Sequence, residues 1–192
     1  MVTQVSRDPQ FWLGGGHTIV DLANTAYDGT ESFHTFGNVV AWLKRSGLEQ
    51  RRIPGRSPKD ESAALIGVRR LRESARAILE AALSNERAPR QAVEHINAAL
   101  SGGVPSLLKS GERYVLDVTS DLARPQDVLI PIARALASFL TDADPTRVKR
   151  CPSCSMYIYD ASKNRTRSWC SMKACGNRAK VAAHYRRTKN HI

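Results

Sequence analysis

The sequence predicts a mainly α-helical protein with one small β-hairpin. A helical body over residues 1–146 is followed by a small treble-clef-like module over 147–192. Three observations predict this. Apolar residues recur at helical spacing in several separate segments. The period changes to two over residues 104–119. All four cysteines fall in the last 42 residues, as the pairs Cys151/Cys154 and Cys170/Cys175. A chain of 192 residues with 42% hydrophobic content suits one medium packed domain plus a small module, and excludes wholesale disorder.

Taken in order, Phe11 to Thr25 reads as an extended piece, a glycine turn at Gly14–Gly16 and a short helix through Ile19, Val20, Leu22 and Ala23. The glycine spacing is not that of a dinucleotide site. His17, Asp21 and Asn24 lie at i, i+4 and i+7, on one helix face. That face is suited either to capping and buried hydrogen bonds or to a small polar pocket. Residues 26–36 read as a polar loop. A second helix is expected from an Asn38 N-cap to Ser46, with Gly47 ending it. Breakers over 49–58 mark a connecting loop. The longest helix follows from Pro58 to Ser84, with Leu65, Val68, Leu71, Ala75, Ile78 and Leu79 facing in. Arg69, Arg70, Arg72 and Arg76 are expected on its wet face. Pro89 suits the first turn of a helix reaching Leu100. Tyr114, Leu116 and Val118 alternate with Arg113, Val115 and Asp117 behind a Ser110-Gly111 turn, a hairpin pattern. Helical spacing returns from Gln126 to Leu140, with Pro131 as a kink or a first-turn residue. Residues 141–145 form a hinge into the last module.

The cysteine pairs are separated by fifteen residues. Two close pairs with such a spacer suit one structural Zn²⁺ held by the thiolates of Cys151, Cys154, Cys170 and Cys175. Two disulfides or a redox C-x₂-C are the competing readings. A redox motif needs no second pair, and nothing in Met1–Gln10 resembles a secretion signal. A reducing cytoplasm is the natural compartment for free thiolates. No run approaches the apolar length of a membrane span.

Charge is divided unevenly. Twelve of the 29 lysines and arginines, but only one of the 18 acids, lie between Arg147 and the C-terminus. That segment therefore carries +11, and the remainder, 17 bases against 17 acids, is neutral. A neutral body beside a strongly basic module is the pattern of a nucleic-acid-binding surface. A helix is expected from Met172 to about Arg187. On its wheel Cys175, Arg178, Val181, Ala182 and Tyr185 fall toward the metal and core. Lys173, Asn177, Lys180, His184 and Arg187 form the opposite stripe, free for phosphates and base edges. Lys163, Arg165 and Arg167 in the preceding turn are expected to hold the nucleic-acid backbone. Asp160, the lone acid, is expected to pair with Arg178, and Trp169 to serve as core.

The run C-x₂-C, D-x-S-x-N-R-x-R-x-W-C-S-M, then C-G-N-R-x-K, over Cys151 to Lys180, resembles the CGNR-type zinc finger. Gly15, Gly16, Asp21, Asn24 and Thr25 look like the opening of the ABATE domain that accompanies this finger in bacteria. The resemblance implies a stress-response transcription regulator, with a DNA-binding finger and a front domain that senses a ligand or mediates contacts. It also turns the His17/Asp21/Asn24 face, with Thr25, toward a small-molecule pocket. DNA is the leading partner and RNA the alternative, because charge alone does not separate them. A third reading makes the finger a scaffold for a ligand-binding or interaction protein. A homodimer is expected from the limited specificity of one small finger. No enzyme is expected: four thiolates close the metal's coordination, and no nucleophile elbow, HExxH or Walker pattern occurs.

Overall fold

The computed structural model describes residues 11–49 and 57–189. Met1–Gln10, most of the loop expected over 49–58, and the side chain of His184 lie outside the described residues. The order is α1 (Thr18–Ala23), β1 (Ala26–Tyr27), β2 (Thr30–Glu31), α2 (Phe36–Arg45), α3 (Pro58–Leu83), α4 (Arg90–Leu100), β3 (Val104–Ser110), β4 (Arg113–Thr119), α5 (Leu129–Asp142), β5 (Val148–Arg150), β6 (Tyr157–Tyr159) and α6 (Asn177–Lys189). The described strands form three antiparallel pairs, β1–β2, β3–β4 and β5–β6. The fold is mainly helical and ends in the small module, as the sequence predicts.

The organising element is α3. Ser57 caps it through Asp60 N at 3.2 Å, Pro58 opens it, and Asp60 and Glu61 face its positive end. Its buried stripe, Val68, Leu71, Ala75, Ile78 and Leu79, packs against α1, α2, α4 and α5. Trp42, Leu43, Ile132 and Leu136 complete the centre of the core. Two helix starts differ from expectation. The N-cap of α2 is Thr35, and Asn38 is its third residue, closing a capping box by accepting from Thr35 N at 3.0 Å. Pro89 is the N-cap of α4 rather than a first-turn residue. A single 3₁₀ turn over Pro125–Val128 leads into α5, where Pro131 sits third and its missing N–H has no intrahelical partner to lose.

Of the four arginines expected on the wet face of α3, Arg70 is exposed, and the other three turn to the protein. Arg72 is buried and grips Glu31 with two bonds of 2.6 and 2.7 Å. Arg76 donates to the carbonyls of Ala23 at 3.1 Å and Ala26 at 2.6 Å, and Arg69 to that of Phe33 at 2.5 Å. The loop of residues 24–34 lies over this side of α3 and carries carbonyls that no strand or helix satisfies. The guanidinium groups supply the missing donors. Glu31 is held below its ordinary value because these ion-pair bonds outweigh the burial that pushes it up.

Candidate metal centre and nucleic-acid interface

Cys151 and Cys154 flank a tight turn between β5 and β6. Cys151 N donates to Met156 O at 2.9 Å, and Ser155 N to Cys151 O at 2.7 Å. The second pair comes from the entry to the last helix. Ser171 caps one π-helical turn, Met172–Gly176, by accepting from Ala174 N at 3.3 Å, and that turn aims Cys175 inward. All four Sγ atoms lie within 4.8 Å of one another, with Cys154–Cys170 and Cys170–Cys175 at 3.5 Å. A tetrahedral zinc with bonds of about 2.3 Å sets its sulfurs about 3.8 Å apart. The donor set and its spacing therefore fit one zinc ion. None of the four is disulfide-bonded. Burial pushes the Cys154 and Cys170 thiols up, whereas at Cys151 the backbone N–H groups of Cys170 and Ser153 outweigh burial and bring the thiol to about 6. Ile158 and Trp169 pack around the cluster.

The loop between β6 and the second cysteine pair is built on Asp160, which is buried. Its carboxylate accepts from Lys149 Nζ at 2.6 Å, Ser162 N at 3.0 Å, Ser162 Oγ at 2.5 Å and Arg167 N at 2.9 Å. Burial raises its pKa, but the bonds from Lys149 and Ser162 win and hold it well below the carboxylate range. This corrects the expected Asp160–Arg178 pair. The partner is Lys149, which the β5–β6 hairpin places across from Ile158, while Arg178 is exposed on α6.

The three turn cations separate. Lys163 is exposed. Arg165 is exposed but tied to Asp144 at 2.7 Å and Thr146 Oγ1 at 2.9 Å. Arg167 is half-buried, and its guanidinium donates to the carbonyls of Gly14, Cys170 (3.0 Å) and Trp169 (3.3 Å). Arg167 therefore clamps the finger's loop to the body, and its expected phosphate contact does not fit this arrangement.

The polar residues of α1 also belong to the joint with the finger. Asn24 exchanges two bonds with the Tyr157 backbone, Nδ2 to O at 3.0 Å and Tyr157 N to Oδ1 at 3.1 Å. Its amide thus replaces a neighbouring strand on β6. Tyr159 N donates to Gly15 O at 2.6 Å. Gly16 has φ +89°, and a Cβ there would lie 2.3 Å from Tyr159 O, so only glycine permits this approach. Asp21 accepts from Gly15 N at 2.7 Å, Thr25 donates to Leu22 O at 2.7 Å, and His17 caps α1 by accepting from Ile19 N at 3.3 Å. The His17 ring meets Phe139 and Tyr159 edge-on at 5.1 and 5.5 Å. The expected ligand pocket of His17, Asp21, Asn24 and Thr25 is thus a packed seam whose hydrogen bonds go to the protein itself.

A family model named ABATE, described as "Putative stress-induced transcription regulator", matches residues 16–143, two-thirds of the chain. The chain belongs to the ABATE family. The CGNR zinc finger model matches residues 147–188, so the two follow the order that the motifs implied. A comparison with curated proteins gives no match. Both family descriptions are non-enzymatic. Among the described residues, no helix is long and apolar enough to cross a membrane.

Several residues of the ABATE–CGNR joint escaped the sequence reading. Glu80, on α3, accepts from both Arg150 and the Tyr157 hydroxyl, and Tyr27 donates to Cys154 O beside the metal centre. Burial, then the bond to Glu80, pushes Tyr157 up to about 12, so it remains a donor. Arg150 also lies over the Tyr157 ring at 4.4 Å. Val148 and Tyr157 of the finger join the same hydrophobic cluster as the ABATE core.

Beyond its first turn, α6 has little of the finger's core against it. Val181 is 55% and Tyr185 65% exposed, and Ala182 is exposed too, so the expected inner side of the wheel does not face a core. A module this small covers only the turn that carries Cys175. Lys173, Asn177, Lys180 and Arg187 are all exposed along this arm.

Proposed function

We propose that this protein is a DNA-binding transcription regulator of a reducing, cytoplasmic compartment. In this reading one zinc ion folds the CGNR finger, α6 meets the duplex, and the ABATE body transmits a ligand or partner signal through the joint. The observation that carries the reading is the projecting α6. With the turn before it, it presents Lys173, Asn177, Lys180 and Arg187 to solvent on a segment of net charge +11, beside a neutral body. Thirteen residues of helix span about 20 Å. Such a rod fits the major groove of B-DNA, about 12 Å wide, and not the narrow one of A-form RNA. Lys163, also exposed, is free to supply a further phosphate contact.

The test is duplex binding by the zinc-loaded chain over a salt series. Log affinity is expected to fall linearly with log salt, by about 0.9 for each phosphate neutralised. Lys180→Ala with Arg187→Ala should lower that slope by about two without changing thermal stability. Binding that ignores salt, or that structured RNA outcompetes, overturns the DNA reading.

A further inference from the structure

The β3–β4 hairpin inverts the usual order of an antiparallel ribbon, whose solvated face is polar. Among the described residues twelve large hydrophobic side chains are exposed. Six of them, Val104, Leu107, Leu108, Tyr114, Val115 and Leu116, lie on this one hairpin. The register places Leu107 opposite Leu116 and Lys109 opposite Tyr114, so Leu107, Tyr114 and Leu116 share a face. These three are 67, 66 and 76% exposed. Asp117, on the opposite face, is tied to Arg134 of α5. A groove of about 600 Å³ runs beside β4, with Leu48, Leu100, Val118, Pro131 and Ala135 among its walls and Asp117, Arg134 and Ser138 as their polar part.

We propose that this ridge and groove form a homodimer interface, and that its occupant is a second copy of this chain. Charge supports that choice. The hairpin balances Lys109 and Arg113 against Glu112 and Asp117, and the body is neutral, whereas the finger carries +11. Two copies meet on the hairpin without repulsion, and a charged foreign partner finds no complementary field there. Shape supports it as well. A ridge beside a groove on one chain is self-complementary about a two-fold axis, each ridge facing the other copy's groove. Leu107, Tyr114, Leu116 and Val118 lie on one face of the hairpin, and the eight groove residues outside it adjoin Val118 and Leu116, so ridge and groove form one continuous patch. Pairing also gives the marginal two-stranded ribbon the cover it lacks.

Light scattering and sedimentation of the zinc-loaded full chain, over a micromolar concentration series, test this. The wild type is expected to dimerise. Leu107→Glu and Leu116→Glu are each expected to raise the dimer dissociation constant at least about 30-fold, with zinc content unchanged. Ile66→Glu, at an exposed apolar site on α3 away from the hairpin, should leave the dimer intact. Hydrogen exchange of the wild type gives a second readout, because amides of 104–119 should gain protection as concentration rises. A monomer at every concentration, or a dimer indifferent to both hairpin variants, overturns the proposal. Binding of a half-site duplex by the same proteins is scored separately, so the dimer and the DNA reading fail independently.

Discussion

The arginines that brace the body and its joint with the finger, and the cations of the last helix and its entry turn, are the same residue types put to opposite uses. Arg72, Arg76 and Arg167 spend their donors on a carboxylate or on carbonyls of irregular backbone. Lys180 and Arg187 stand in solvent on α6, and Lys173 on the turn before it. What separates them is backbone need. The loop of residues 24–34 and the finger's long loop carry acceptors that no strand or helix satisfies, and a nearby guanidinium is the donor with the reach to serve them. Interior carbonyls of a helix are bonded within it; on α6 Arg186 turns back to Ala182 O at 3.3 Å, a bond the helix does not require. A basic segment read only as charge counts both groups alike. The structure gives one to cohesion and leaves the other in solvent.

The sharpest way to break this division is to remove the metal. Structural zinc in small fingers is worth on the order of 10 kcal/mol. Its four ligands hold β5, β6 and the start of α6, and β6 in turn holds Gly15 and Asn24 of the body. Cys175→Ser, or chelation, should therefore abolish stoichiometric zinc binding and lower the melting temperature of the body as well as the finger. Calorimetry that shows the body melting unchanged would mean the joint transmits nothing.

The next effect separates the cohesive acid from the exposed cation once assigned to it. Asp160→Ala leaves Lys149, Ser162 and the Arg167 N–H without their shared acceptor, and should cost about 3–5 kcal/mol. Arg178→Ala, on the exposed arm, should stay within about 0.5 kcal/mol. Urea unfolding of both variants measures the contrast, and equal losses would restore the original pairing.

A smaller contrast uses two glycines of similar φ. Gly16 (+89°) presses on Tyr159 O, whereas Gly29 (+74°) has nothing within 4 Å of where a Cβ would sit. Alanine at Gly29 should cost only the left-handed strain, about 1 kcal/mol. Alanine at Gly16 adds a backbone clash and should lose a further 1–3 kcal/mol by opening the joint. Thermal melts of the two variants check the difference.

Much of this was legible beforehand, and the failures share a cause. The apolar stripe of α3, the alternation of β4 and the cysteine spacing each follow from periodicity or ligand chemistry within one segment, and each was read correctly. The Asn24–Tyr157 exchange spans 133 residues, and the bond from Tyr157 to Glu80 spans 77. No local period signals such pairs. Lys149 was missed as the partner of Asp160 because the three-residue strand Val148–Arg150 is too short to show alternation, so its register across β6 could not be anticipated. The wheel of α6 misled for a related reason. It places Val181 and Tyr185 beside Cys175 correctly, but carries no information on where the finger's core ends.

The seam also carries a pH signature. Burial is the main reason the Asp21 carboxyl stands at about 6 instead of 3.8, against opposing pulls from the Gly15 N–H and the Arg167 charge. A folded-state pKa above the unfolded value means that the native state holds the proton more tightly. The associated stability is full below about pH 4 and is lost as pH rises through 6. Asn at this position can still accept from Gly15 N but has no charge to desolvate. Asp21→Asn should therefore match the wild type near pH 4 and gain on it by about 1–3 kcal/mol by pH 7, with a flat difference above that. His17, in the same seam, has a pKa lowered by burial and so gives the opposite slope. It is present in both proteins and cancels from their difference, as do the thiols of the finger. Urea unfolding of the pair from pH 4 to 8 isolates Asp21. A gap that does not change across that range would mean the seam is wet, and that solvent reaches the bonds joining the body to the finger.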